Sequence, residues 1–313
     1  MTAIQTEALQ KFYGQVHALD GLSLQVESGS IFGFLGPNGA GKSTTIRLLT
    51  GLARPTGGQA WVAGVNVSAS RQVAARIGYL PEEPAFYNWM TPGEFLDHVA
   101  RLFGFKETDR KARTRELLEQ VGLSEVRKRR IGGFSHGMRQ RLGLAQAMYN
   151  HPEVLFLDEP VSALDPAGRK EVLDLIRQLR QRSTVFMSTH ILADVERVCD
   201  TVGIINRGRL VVQARQDELL ARYTIPAFEL ECDPGHEEAF KAWCESLKPA
   251  EWVSSVVITG STARVIVKDV AAARQALLAR VVEAGLALRR YEIVNHSLED
   301  IFLRLVNAEG RSQ

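Results

Sequence analysis

The chain has 313 residues, 45% hydrophobic and 24% charged, which suits two globular domains or one large domain with an appendage. Its 38 basic and 36 acidic residues give a net charge of +2, which argues against a dedicated nucleic-acid binder. No run of 18 apolar residues occurs, so no membrane span is expected, and MTAIQTEALQKFYG lacks the basic head and apolar core of a signal peptide.

In chain order, IQTEAL and LSLQVESG read as short strands separated by the turn-like KFYGQ. SIFGFLG then reads as a buried strand and leads into GPNGAGKS at 36–43, which fits G-x-x-x-x-G-K-[ST]. Gly36, Gly39 and Gly41 let such a loop bend and bring backbone N–H groups to phosphates. Lys42 can reach the terminal phosphates, and the Ser43 hydroxyl can sit on Mg²⁺. GYLPEEP at 78–84 is a strand followed by an acidic turn carrying Glu82 and Glu83.

Between about residues 90 and 150 the pattern reads as helical. TPGEFLDHVARLFG opens on a cap-like Thr91 with Pro92 at the first helical position, and TRELLEQVGL ends at Gly122. The aromatics Phe86, Tyr87, Trp89 and Phe95 divide between a local core and an exposed groove. KETDRKARTRE and EVRKRRIGG carry much of the basic charge, on what reads as a solvated face. FSHGMRQRL at 134–142 is a basic helix start more than 90 residues beyond the phosphate loop.

VLFLDEP and STVFMSTH flank the helical GRKEVLDLIRQLRQR, a strand–helix–strand crossover that puts both polar strand ends on one sheet edge. Asp158 suits a Mg²⁺ ligand there, Glu159 a group that polarises an attacking water, and His190 a holder of Glu159 or of a phosphate oxygen. Two carboxylates at a strand end also suit a helix cap and a solvated acid, and His190 a structural role. VGIINRGRLVVQA reads as a hairpin turning at Arg207-Gly208. Beyond a break near 222 the order is β-α-β-β-α-β, the ferredoxin-like order, followed by a short helix in SLEDIFLRLVN. The three cysteines, Cys199, Cys232 and Cys244, form neither a metal cluster nor a disulfide framework, so a reducing cytoplasm is the expected compartment.

Together these motifs resemble the ATP-binding subunit of an ABC transporter, in the branch of ABC-2-type exporters for drugs, sodium and polysaccharides. The resemblance runs from residue 3 to about 220. It implies an α/β P-loop ATPase domain at 1–222, with an antiparallel β subdomain and a helical subdomain at about 86–150. The ferredoxin-like domain would occupy 223–313. It implies that Gly36, Pro37, Asn38, Gly39, Ala40, Gly41, Lys42, Ser43 and Thr44 cradle ATP and that Tyr13 stacks on adenine. Ser43, Asp158 and Glu82 are the implied Mg²⁺ ligands. Glu159, His190, Glu82 and Asp165 are the implied catalytic set; Asp165 closes the SALD loop, and Glu82 stands where the family usually has glutamine. FSHGMRQRL resembles the family signature, so Ser135 and Gly137 would cap the γ-phosphate of ATP held by a second copy; His136 occupies a usual glycine position.

The implied partners are a separately encoded transmembrane permease and a second copy of the chain, at the inner face of the cell membrane, without nucleic acid. A soluble ATPase of translation or nucleic-acid repair is the alternative, but such relatives usually carry two ATPase halves or a long coiled insertion, and this chain has neither. A non-hydrolysing module is a third reading, opposed by the intact Lys42, Ser43, Asp158, Glu159 and His190.

Overall fold

The computed structural model describes residues 1–162, 164–223, 227–294 and 302. The chain divides into two compact units, residues 1–216 and residues 217 onward.

The first unit opens with β1 (Thr2–Tyr13) and β2 (Val16–Glu27), joined at Gly14-Gln15. The turn is tighter than KFYGQ suggests, because Lys11 and Phe12 stay in the ladder opposite Leu19 and His17. Gly14 supplies the positive φ, 58°, that the turn needs. Next come β3 (Ile31–Leu35), α1 (Lys42–Leu49), β4 (Gly57–Val62), β5 (Val65–Asn66), α2 (Ser70–Ala74) and β6 (Ile77–Leu80). One antiparallel sheet has the order β2-β1-β4-β5.

Three helices follow: α3 (Pro92–Leu102), α4 (Glu107–Gln120) and α5 (His136–Ala147). Thr91 and Glu94 make a reciprocal capping box at the start of α3. The fourth helix begins well before TRELLEQ, since Glu107 and Asp109 favour its positive N-terminal end. Of the aromatics around the start of α3, Phe95 within the helix is buried and Phe86 meets it edge-on at 5.0 Å, whereas Tyr87 and Trp89 are exposed. The C-terminal end of α5 lies against β6 so closely that a Cβ on Gly78 would stand 1.9 Å from the Ala147 carbonyl oxygen.

The unit closes with β7 (Val154–Asp158), α6 (Pro166–Leu179), β8 (Thr184–Thr189), α7 (Leu192–Val198), β9 (Thr201–Asn206) and β10 (Arg209–Arg215). The larger sheet has the order β10-β9-β3-β8-β7-β6; all neighbours are parallel except the β9–β10 hairpin. That hairpin turns at Arg207-Gly208 with φ of 47° and 78°, the left-handed pair a two-residue turn demands. Phe32, Phe34, Phe156 and Phe186 stack through the centre of this sheet, so its strands read as unbroken apolar runs.

The helix α8 (Gln216–Tyr223) begins at the last residue of the first unit, and the second unit continues with β11 (Ala227–Cys232), α9 (Glu237–Ser246), β12 (Val253–Thr259), β13 (Thr262–Val267), α10 (Val270–Glu283) and β14 (Leu288–Val294). Its sheet runs β12-β13-β11-β14 with every neighbour antiparallel, the ferredoxin-like arrangement. Phe228, Leu230, Phe240, Val265 and Leu277 form its core. The three cysteines are buried and free; burial pushes the Cys199 thiol up, and that of Cys244 up to about 12. The expected helix in SLEDIFLRLVN lies outside the described residues apart from Phe302.

Candidate active site

The polar groups gather at the C-terminal edge of the parallel sheet. β3 is entirely buried and releases the chain into the glycine loop, which ends in α1. Gly41 turns into that helix with φ 112°. A Cβ at Gly36 would lie 2.5 Å from the Ile205 carbonyl oxygen, and one at Gly41 2.7 Å from that of Ala18, so neither position has room for a side chain.

Lys42 is 7% exposed. Its ammonium donates to the carbonyls of Gly36 (2.8 Å) and Pro37 (3.3 Å) and lies 3.9 Å from Glu159 Oε1. Burial lowers its pKa, opposed by the attraction of Glu159, Asp158 and Glu82. Asp158 ends β7 and is buried, and Ser188 Oγ from β8 donates to its Oδ1.

Glu159 is 6% exposed, with a left-handed backbone at φ 50°. A non-glycine residue held there costs on the order of 1–3 kcal/mol. Its Oε1 is 2.9 Å from His190 Nδ1, its backbone N–H donates to Ser188 O, and its carbonyl accepts from Gln140 Nε2 at 3.4 Å. Its Oε2 is buried and has no hydrogen-bond partner among the described residues. Such an oxygen costs about 1–3 kcal/mol of desolvation. Strain and an unsatisfied oxygen on one carboxylate are features that folding stability alone does not favour.

Glu82 follows β6, is exposed, and acts electrostatically on both Lys42 and Tyr79. Tyr13 stands at the tip of the β1–β2 hairpin, 47% exposed, with Lys11 Nζ 4.8 Å above its ring. Ser135, Gly137 and Asp165 instead line a separate groove of about 500 Å³ with His136, Met138, Arg141 and Leu164. Ser135 caps α5, its Oγ accepting from Met138 N, and Asp165 caps α6, its Oδ1 accepting from Gly168 N. Asp165, grouped with the catalytic residues in the sequence, thus shares its surface with the signature-like segment.

Two supporting residues escaped the sequence reading. Ser188 was within reach, since it stands directly opposite Asp158 across the β7–β8 ladder. Gln140 carries no sequence signal; only the placement of α5 brings it to Glu159.

A glycine loop between a buried strand and a helix, with two carboxylates ending a strand of the same parallel sheet, defines a P-loop nucleoside triphosphatase. Residues 19–162 match the ABC transporter family, and residues 216–306 match the C-terminal domain of DrrA1-3-like ATP-binding proteins. The chain is 42% identical to the uncharacterized ABC transporter ATP-binding protein YxlF of Bacillus subtilis (strain 168), over 97% of this chain and 100% of that one. It is 34% identical to the daunorubicin/doxorubicin resistance ATP-binding protein DrrA of Streptomyces peucetius, over 99% and 94%. A solved ATP-binding subunit of an ABC transporter matches with a TM-score of 0.66 at 28% identity, covering 71% of this chain and 93% of that one.

This chain belongs to the ATP-binding proteins of ABC transporters. It is an ATPase that works with a separate permease, which sets aside the translation, repair and non-hydrolysing readings. No helix among the described residues is long and apolar enough to cross a membrane.

Proposed function

We propose that the chain is the MgATP-hydrolysing subunit of an exporter, held on the cytoplasmic face of a membrane by its permease. Two copies close head to tail over two ATP molecules, and hydrolysis reopens them. The observation that carries this reading is Glu159, buried and strained, with one oxygen against His190 and the other without a partner. The free oxygen suits an attacking water, which Glu159 polarises while His190 holds the carboxylate in line.

Lys42, now bonded to loop carbonyls, exchanges them for the β- and γ-phosphates, and the backbone of residues 36–44 cradles the rest. Its exposed position suits Tyr13 to stacking on adenine. No group of three His, Cys, Asp or Glu side chains among the described residues could hold a metal by itself. Ser43, Asp158 and Glu82 offer the hard oxygens Mg²⁺ prefers, with phosphate oxygens completing the shell. When bound, the ion neutralises charge on the phosphates.

Ser135 and Gly137, at the start of α5, close over the partner copy's γ-phosphate with backbone N–H groups. Asp165 sits at that same contact. The exposed Tyr87 and Trp89, 5.9 Å apart, offer the permease an aromatic face. Export follows from the resistance function in the name of DrrA and from the DrrA-like second domain.

Exchange of Glu159 for Gln is the direct test. Turnover should fall by at least about 10²-fold, with MgATP still bound and the closed dimer accumulating on size-exclusion chromatography. Near-normal turnover by this variant would remove Glu159 from the reaction.

A further inference from the structure

Residues 101–130 carry ten basic and five acidic side chains, although the whole chain is only +2. A groove of about 730 Å³ runs along α3, α4 and the short helical turn Ser124–Val126. Arg101, Arg110, Lys111, Arg115, Arg127 and Lys128 line it. The three acids in the same lining already have partners. Asp97 accepts from Arg101 (2.8 Å) and Arg110 (2.7 Å), and Glu107 from Lys111 (2.8 Å). Glu94 belongs to the capping box with Thr91, whose hydrogen bonds hold its carboxyl below the usual range.

That leaves Arg115, Arg127 and Lys128, all exposed and in no ion pair among the described residues. Three uncompensated cations around one concavity repel one another and raise the local potential; a polyvalent anion relieves both effects. A single carboxylate would leave most of that charge unmatched. A phosphate monoester carries nearly two charges and three acceptor oxygens, and guanidinium forks match its geometry. The volume lies in the range that holds one small molecule or one headgroup, and the buried Leu118 gives the groove an apolar floor.

We infer that this groove on the helical subdomain binds a phosphate-bearing anion through Arg115, Arg127 and Lys128. A phosphomonoester lipid headgroup and a free phosphorylated compound share that chemistry, and two arms of one experiment separate them. In the first, the purified full chain is sedimented with vesicles of phosphatidylcholine, with or without phosphatidic acid. In the second, Lys42→Ala protein, whose phosphate loop is disabled, is titrated with inorganic pyrophosphate. The triple variant Arg115→Gln, Arg127→Gln, Lys128→Gln is carried through both.

Binding to phosphatidic acid vesicles should weaken with added salt and fall on the order of 100-fold in the triple variant. ATP turnover and melting temperature should stay unchanged, because the three side chains lie outside the nucleotide site. Vesicle binding alone identifies the headgroup, and pyrophosphate binding alone identifies the free compound. If the full chain does not bind the vesicles and the Lys42→Ala protein does not bind pyrophosphate, or if the triple substitution leaves the observed binding unchanged, the assignment is wrong.

Discussion

The Lys42–Glu159–His190 cluster and the Ser135–Gly137–Asp165 groove lie in one compact unit but are built on opposite terms. The cluster is buried at Lys42 and Glu159, and its charges face each other. The groove is open; Ser135 and Asp165 each cap their own helix, and Arg141 is paired with Glu171. The first region holds a buried carboxylate with one oxygen that has no hydrogen-bond partner among the described residues. The second has helix N-terminal backbone suited to an anion, and its Asp165 carboxylate is committed to capping α6. Under the proposed function each is half of a site that only two copies complete.

The mixed dimer puts that division under the most strain. Gly137→Asp should still bind ATP but lose turnover to background, since it sets a carboxylate against phosphate. The Cβ it adds meets only the flexible end of Leu164, at 2.9 Å, so the fold should survive. A differently tagged pair of one Lys42→Ala and one Gly137→Asp subunit gathers both defects in one composite site and leaves the other whole. About half activity, or one occluded nucleotide per dimer, is expected if sites are shared. A pair that occludes nothing would show that the regions do not act across copies.

A smaller effect tests the joint between the two regions. The helix α5 begins in the groove and ends against β6, where Gly78 has no room for a Cβ. The obstructing atom is backbone and cannot swing aside. Gly78→Ala should therefore destabilise the first unit by about 1–3 kcal/mol, read as a lower midpoint in urea. An unchanged midpoint would mean that α5 can shift on the sheet at little cost.

The smallest effect concerns the second unit. A chain ended at residue 222 should bind ATP with unchanged affinity by calorimetry, since both regions lie before residue 217. A folded truncated chain that fails to bind would show that the second unit shapes the first.

Much of this was legible because its signals are local. The β3 strand is five apolar residues with every position buried, and no surface strand reads that way. The capping box at Thr91 and Glu94, the turn at Arg207-Gly208 and the chain order of elements in the second unit follow from residues a few positions apart. The early start of α4 was missed because its first turn is polar on all sides and lacks an apolar stripe.

Sequence alone marked out the glycine loop between strand and helix, the paired carboxylates at a strand end and a change of pattern near residue 222, since fixed spacings dictate backbone turns and strand ends. Tertiary structure decided which of those residues meet. It brought His190 onto Glu159 and Gln140 onto the Glu159 carbonyl, left Glu159 Oε2 without a partner, and moved Asp165 to the groove of Ser135. Those outcomes depend on how parallel strands register and how α5 and α6 pack, and contacts between side chains distant along the chain leave no periodic trace in it.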